Sequence, residues 1–432
     1  MQRIVFQSLL SWKKNKSRKP LILQGARQTG KTWLMKELGK TYGSTAYFNF
    51  EETPALINIF EGNLDASHLL NLLEVYHRTK IDEDTLIIFD EIQNCPGAIT
   101  SLKYFFENKP QYAVIAAGSL LGVAMQKEKA FPVGKVEFMD IHPLTFLEFL
   151  MALKEEKLAN LLIEGKWENI GRFHDKYTDF LRRYVYVGGM PEAVKKFADT
   201  GNWQEVRKIQ DDILKGYEQD FSKYATSTTV PKLRSIWHSI PSQLDKNNRK
   251  FIYSKLKEGA RASDYEQALG WLIDAGLVIQ VTKNVNAIYP LKSAEDVTAF
   301  KLFMNDIGLL GAMGEISEEL VLTDTIFEIF SDGMAEQYVL QQMITDQDLR
   351  IYYWSAEFRK AEIDFLVQAG TKIIAIEIAP KENPKSKKLQ VFAENHKLVE
   401  SIRVSSTEYR KDTNRTILPL YAIQRLKNLR AE

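Results

Sequence analysis

Eight residues, Gly25-Ala26-Arg27-Gln28-Thr29-Gly30-Lys31-Thr32, stand between the apolar run Leu21-Ile22-Leu23 and the helix-compatible stretch WLMKELGK. Few folds accommodate that spacing of two glycines, a lysine and a hydroxyl. Small residues let main-chain N–H groups wrap closely around phosphate oxygens, and the loop then delivers the anion to the partial positive charge of a helix N-terminus. Gly25 and Gly30 supply this freedom, while Ala26, Arg27, Gln28 and Thr29 supply the intervening amides. Lys31 reads as a point charge for the β- and γ-phosphates and Thr32 as a hydroxyl for a magnesium ion. The bland alternative is a strand-to-helix turn that binds nothing, and independent elements elsewhere in the chain must weigh against it.

Two such elements follow. LIIFDE, at 86 to 91, is a buried-strand pattern ending in Asp90-Glu91. Carboxylates at the carboxyl end of a central strand face the crevice where open α/β sheets bind ligands. Asp90 suits holding magnesium and Glu91 suits polarising an attacking water. AVIAAGS ends a further apolar run at Ser119, a candidate for sensing the γ-phosphate, although a serine in a strand-exit turn is commonplace. Candidates for a cation that completes such a site are Lys135, Arg172, Arg182 and Arg183, and the sequence does not choose among them.

The chain has 432 residues, too many for one ordinary core, and 45% hydrophobic with 26% charged residues places it in the globular range. With 57 Lys+Arg against 56 Asp+Glu, it has no global field for nucleic acid or an anionic membrane. Cys95 stands alone, which excludes an internal disulfide and fits a reducing compartment. No apolar leader is visible and no run approaches the roughly 18 apolar residues of a membrane span. A cytoplasmic protein is expected.

Residues 1–150 alternate strand-like runs (Leu21 to Leu23, Ala46 to Phe50, Leu86 to Phe89, Val114 to Ala117, Val136 to Phe138) with helical stretches, the pattern of a helix-covered parallel sheet. Residues 151–300 read as mostly helical. Within them, Ser263-Asp264-Tyr265-Glu266 opens a helix that ends near Gly276 before LVIQV, which fits either a winged-helix module or a plain helical connector. Residues 301–432 return to strands (IYYWSAE, EIDFLVQ, KIIAIEIA, ESIRVSS) after a helix near Gly333 to Met343, giving a second α/β unit.

GARQTGKT, LIIFDEIQ, AAGS, FPVGKVEFMDIHPLTFLEFL, GGMPEAV, KLFMNDIGLL and EIDFLV, in this order, resemble the prokaryotic AAA-like P-loop ATPases that carry a C-terminal domain of unknown function. The resemblance implies an additional-strand P-loop core, in which the strand ending at Ser119 lies between those of the phosphate loop and the acidic pair. It also implies ATP and Mg2+ as cofactors, a helical or winged-helix middle and a restriction-endonuclease-like terminal fold. Where the family commonly has Gly-Arg, this chain has Gly134-Lys135, which keeps charge but loses the planar guanidinium fork. In the terminal fold, Glu336, Asp364 and Glu377 fill the acidic positions of a nuclease, but the lysine position is Ala379, followed by Pro380. That departure argues against cleavage, because the lysine orients or activates water. Lys381, Lys385, Lys387 and Lys388 form a lysine-rich stretch that suits phosphate contact or a solvated loop.

The expectation is therefore a magnesium-dependent ATPase whose nucleotide state changes how its other domains meet a DNA or protein partner, with nucleotide-dependent self-assembly as an open state. The rival is a nucleotide-gated binding switch with little turnover, and an ATP-dependent nuclease is the weakest reading.

Overall fold

The alternation of apolar side chains in the N-terminal strands is that of a sheet covered on both faces. The computed structural model describes residues 2–119, 121–125, 131–245, 249–322, 332–346, 348–356, 362–379, 388–396, 399–412 and 415–426. By its contacts the chain divides into two units, Gln2–His142 with Gly270–Leu277, and Pro143–Leu269 with Val278 onward.

In the first unit, β1 (Leu21–Gln24), β2 (Ser44–Asn49), β3 (Thr85–Asp90), β4 (Ala113–Ala117) and β5 (Glu137–Asp140) form a sheet of order β2-β3-β4-β1-β5. Every pairing is parallel. Strand β4 lies between β1 and β3, the additional-strand arrangement expected of a P-loop fold. Ile22, Phe48, Ile87, Phe89 and Val114 face one core with α3 (Ala66–His77) and α4 (Pro96–Asn108). Leu21, Leu23, Leu86, Ile88 and Ile115 face the other, with α1 (Phe6–Lys14) and α2 (Lys31–Gly39). Burying each such side chain is worth roughly 1.5–3 kcal/mol. The carboxyl ends of β1, β3 and β4, which are parallel neighbours, are thereby held at one edge of the sheet.

The second unit opens with helices, the first of them Phe146–Ala152, started by a capping box between Thr145 and Glu148. It ends in a mixed eight-stranded sheet of order β12-β13-β11-β10-β9-β8-β6-β7. These strands are β6 (Val278–Asn284), β7 (Glu295–Met304), β8 (Leu349–Ser355), β9 (Glu362–Ala369), β10 (Lys372–Ala379), β11 (Val399–Ser405), β12 (Arg410–Lys411) and β13 (Thr416–Pro419). The helix read from Ser263 onward runs Ala262–Asp274, its start marked by the Arg261 N–H donating to Asp264 Oδ2 at 3.0 Å. The strand pair that follows does not stand alone as a wing. Strands β6 and β7 are two members of the large sheet, with β6 paired to β8, so residue 300 falls inside a strand.

Two of the motifs without evident chemistry meet here. Gly188 has φ +71°, and a Cβ on it would sit 2.2 Å from Asp306 Oδ1. The Gly189 N–H donates to Asp306 Oδ2 at 2.6 Å, Gln341 Nε2 donates to the same oxygen at 2.9 Å, and the Leu309 N–H donates to Oδ1 at 3.1 Å. Burial raises the Asp306 pKa, and these donors oppose the rise. GGMP and NDIG are thus packing partners rather than a second site.

Candidate functional site

The phosphate loop leaves β1 with Gly25 at φ +136°, where a Cβ would lie 2.2 Å from the Ile141 carbonyl oxygen, so only glycine fits. Gln28 (φ +67°) and Gly30 (φ +94°) complete the curl, and Gly30 caps α2. Three contacts fix the loop from within and from outside its own sequence. Thr29 Oγ1 donates to the Ala26 carbonyl at 2.9 Å. Arg3, nearly buried, donates from Nη1 to the Thr29 carbonyl at 2.9 Å and from Nη2 to the His142 carbonyl at 2.7 Å. Gly276, at φ +68°, approaches so closely that a Cβ there would lie 3.0 Å from Ala26 N. Arg27 pairs with Glu51 at 3.4 Å on the surface, a contact of small energetic weight.

Lys31 is buried, and its Nζ donates to the carbonyls of Gly25 at 2.8 Å and Ala26 at 2.7 Å. Burial pushes its pKa down to about 8, against the opposing pull of Glu91 and Asp90. The ammonium therefore rests on its own loop, in a site that gains from an incoming anion.

Asp90, 2% exposed at the end of β3, is the hub of the acidic side. Its Oδ2 accepts hydrogen bonds from Thr32 Oγ1 at 2.8 Å and Tyr47 OH at 2.8 Å, and its Oδ1 accepts from the Glu91 N–H at 3.1 Å. Glu91 adopts φ +51°, a left-handed conformation that a side chain rarely takes, and begins the short turn after β3. Its Oε2 accepts from Gln93 Nε2 at 2.6 Å and from Ser119 Oγ at 3.2 Å. The two carboxylates are thus held by separate sets of donors. The structure brings Lys31, Thr32, Asp90, Glu91 and Ser119 together as read from the sequence. It adds Arg3, Tyr47 and Gln93, which that reading missed.

Magnesium prefers hard oxygen ligands, and the Thr32 hydroxyl with the Asp90 carboxylate offers them beside the curled loop and a buried ammonium. The residues fit a metal-bound polyphosphate. Because Lys31 ionises near 8 and a polyphosphate needs it charged, nucleotide affinity should be flat below about pH 8 and weaken above it, approaching ~tenfold per pH unit. Titration calorimetry between pH 7 and 9.5 checks this, and an affinity unchanged across that span refutes it.

Of the candidate completing cations, Lys135 pairs with Glu107 at 3.0 Å, Arg172 with Glu168 at 2.7 Å and Arg183 with Asp179 at 2.6 Å. Arg182 shares the helix His174–Val187.

The second acidic set is also assembled, but around protein cations. Lys301 Nζ lies 3.1 Å from Glu336 Oε2 and 2.5 Å from Glu362 Oε1, with Lys301 and Glu336 fully buried. Arg249 contacts Glu336 and reaches Asp364 at 3.4 Å and Asp332 at 3.3 Å. Arg403 donates to Glu377 Oε2 from Nε at 3.1 Å and Nη2 at 2.8 Å. Ala379 ends β10, whereas Pro380, Lys381, Lys385 and Lys387 and the side chain of Lys388 lie outside the described residues.

Residues 17–150 match the AAA domain family. Residues 178–320 and 331–423 match two domains of unknown function, DUF8612 and DUF4143. No curated relative matches the chain. Among solved structures, the Walker-type ATPase of Pyrococcus abyssi is similar at 13% identity over 72% of this chain and 94% of that one, with a TM-score of 0.45. The Aeropyrum pernix Orc1 protein, solved in complex with DNA, is similar at 13% identity over 72% and 90%, with a TM-score of 0.27. Cdc6p of Pyrobaculum aerophilum is similar at 14% identity over 74% and 93%, with a TM-score of 0.26. The first unit carries an AAA-type P-loop domain on the strength of its strand order, its loop and the AAA match. The match over 331–423 names neither an activity nor an endonuclease-like fold. Among the described residues, no helix is long and apolar enough to cross a membrane.

Proposed function

We propose that this protein is a magnesium-dependent ATPase whose nucleotide state governs how its remaining domains meet a DNA or protein partner. The observation that carries the reading is the division of labour at the end of β3, where Asp90 faces Thr32 while Glu91 turns toward Ser119 and Gln93. In this reading the loop amides from Gly25 to Thr32 and the Lys31 ammonium bind the β- and γ-phosphates. Thr32 and Asp90 hold the metal, which when bound neutralises charge on the phosphate oxygens. Glu91 takes the proton of the attacking water, and Ser119 orients Glu91 or the γ-phosphate from the end of β4.

The domains beyond residue 150 are proposed to act by presentation, as a helical middle and a restriction-endonuclease-like terminal fold without cleavage. The pairing of Glu336, Asp364 and Glu377 with Arg249, Lys301 and Arg403 supports this, because cations already fill the space that catalytic metals need.

Turnover and binding by the native protein and Lys31→Ala test the proposal. The native protein should hydrolyse ATP only with magnesium. Lys31→Ala should lose nucleotide binding by about 100-fold or more, as befits a buried charge-assisted contact. Absence of magnesium-dependent turnover by the native protein, with DNA and candidate protein partners supplied, would sink the ATPase reading.

A further inference from the structure

The hub carboxylate has a second hydroxyl donor that belongs neither to the loop nor to the acidic motif. Tyr47 lies in β2, paired in parallel with β3 so that Asn49 stands opposite Asp90. Its phenol donates to Asp90 Oδ2 at 2.8 Å, the oxygen that also accepts from Thr32 at 2.8 Å. Asn49 Nδ2 donates to the phenol oxygen at 3.3 Å, and Lys36 Nζ lies 4.3 Å from the centre of the Tyr47 ring. The ring is therefore held on two sides, and the hydroxyl has one acceptor of full charge within reach.

From this geometry we infer that Tyr47 is a positioning residue for the metal site: it fixes the plane of the Asp90 carboxylate before magnesium arrives, so that little ordering remains for the ion to impose. The inference rests on the proposed role of Asp90 and deepens it. Partners that orient a metal-holding carboxylate typically contribute about 10- to 100-fold in metal affinity. The phenol's hydrogen bonds run to Asp90 and Asn49, on the acidic side of the site, so its contribution should appear only when metal is present.

The test titrates magnesium into the native protein and Tyr47→Phe, each with a fluorescent ATP analogue, and compares affinity in EDTA. Phenylalanine keeps the ring and its contact with Lys36 and removes only the hydroxyl. The expected result is a metal-free affinity within about twofold of native and a magnesium midpoint raised about 10- to 100-fold. An unchanged midpoint overturns the inference. So does an equal loss of affinity in EDTA, which would make Tyr47 a structural support of the loop. If the native protein itself gains nothing from magnesium, the assignment of Asp90 fails and takes this inference with it, an outcome read from the native arm alone.

Discussion

Glu91→Gln should leave ATP bound and slow its turnover about 10²- to 10⁴-fold, the range a general base contributes. The substitution is nearly isosteric and keeps an acceptor oxygen for Ser119 and Gln93, whose donors at 3.2 Å and 2.6 Å hold the native carboxylate. What it removes is the capacity to accept a proton from water. Asp90 cannot substitute, because its Oδ2 is occupied by Thr32 and Tyr47 and its Oδ1 by a main-chain amide. Single-turnover hydrolysis with equilibrium binding separates the two effects. Native-like turnover by the variant would remove Glu91 from the chemistry. Loaded with ATP, the same variant is the form to titrate with duplex DNA at low salt. Absence of binding with and without nucleotide would leave protein as the partner class.

Lys301→Met should destabilise the second unit by about 3–5 kcal/mol, the usual result of removing one partner from a buried ion pair. Lys301 and Glu336 are both fully buried, and Glu362 receives the same ammonium at 2.5 Å. Methionine preserves most of the stem volume, so the loss measures charge rather than a cavity. Burial lowers the Lys301 pKa while Glu362 and Asp364 oppose the shift. In the native protein this lysine therefore favours stability as pH rises from its folded pKa toward its unfolded one, where the unfolded chain binds more protons. In the variant the sign reverses: Glu336 keeps Arg249 but loses one of its two cations and Glu362 loses its ammonium, which raises the pKa of these carboxylates, so the deficit should shrink as pH falls. Urea unfolding at pH 7 and pH 5, with and without EDTA, measures both. A loss below about 1 kcal/mol refutes the ion-pair account, and a chelator-sensitive native midpoint would show that metal, rather than Lys301 and its neighbours, holds these acids.

The parts of the site legible in the sequence are those whose signal is local. Strands β1, β3 and β4 are apolar runs, and polar groups stand at or just beyond their carboxyl ends: Gln24 ends β1, Asp90 ends β3, and Ser119 follows β4 by two residues. Tyr47 escaped notice because an aromatic in a half-buried strand reads as packing, and nothing nearby announces that β2 borders β3. Arg3 escaped because its acceptors are carbonyls, 26 and 139 positions away, which carry no side-chain signature. The helix and strand pair near residue 270 were visible, but membership of a sheet is decided by non-local pairing, here with β8. One missed contact did leave a trace. Glu377 and Arg403 stand directly opposite in the parallel register of β10 and β11, so aligning KIIAIEIA with ESIRVSS places the acid beside its cation.

The anchoring of the phosphate loop bears on how this domain can be excised. The AAA match outlines 17–150, yet two of the loop's buttresses, the Arg3 guanidinium and the Gly276 backbone, lie beyond either end of that interval. A fragment trimmed to the outline also forfeits α1, whose Leu9 and Trp12 seal one face of the sheet. The compact unit that holds this loop, Gln2–His142 with Gly270–Leu277, is discontinuous in the chain, and a truncation that respects covalent order alone would sever its scaffolding.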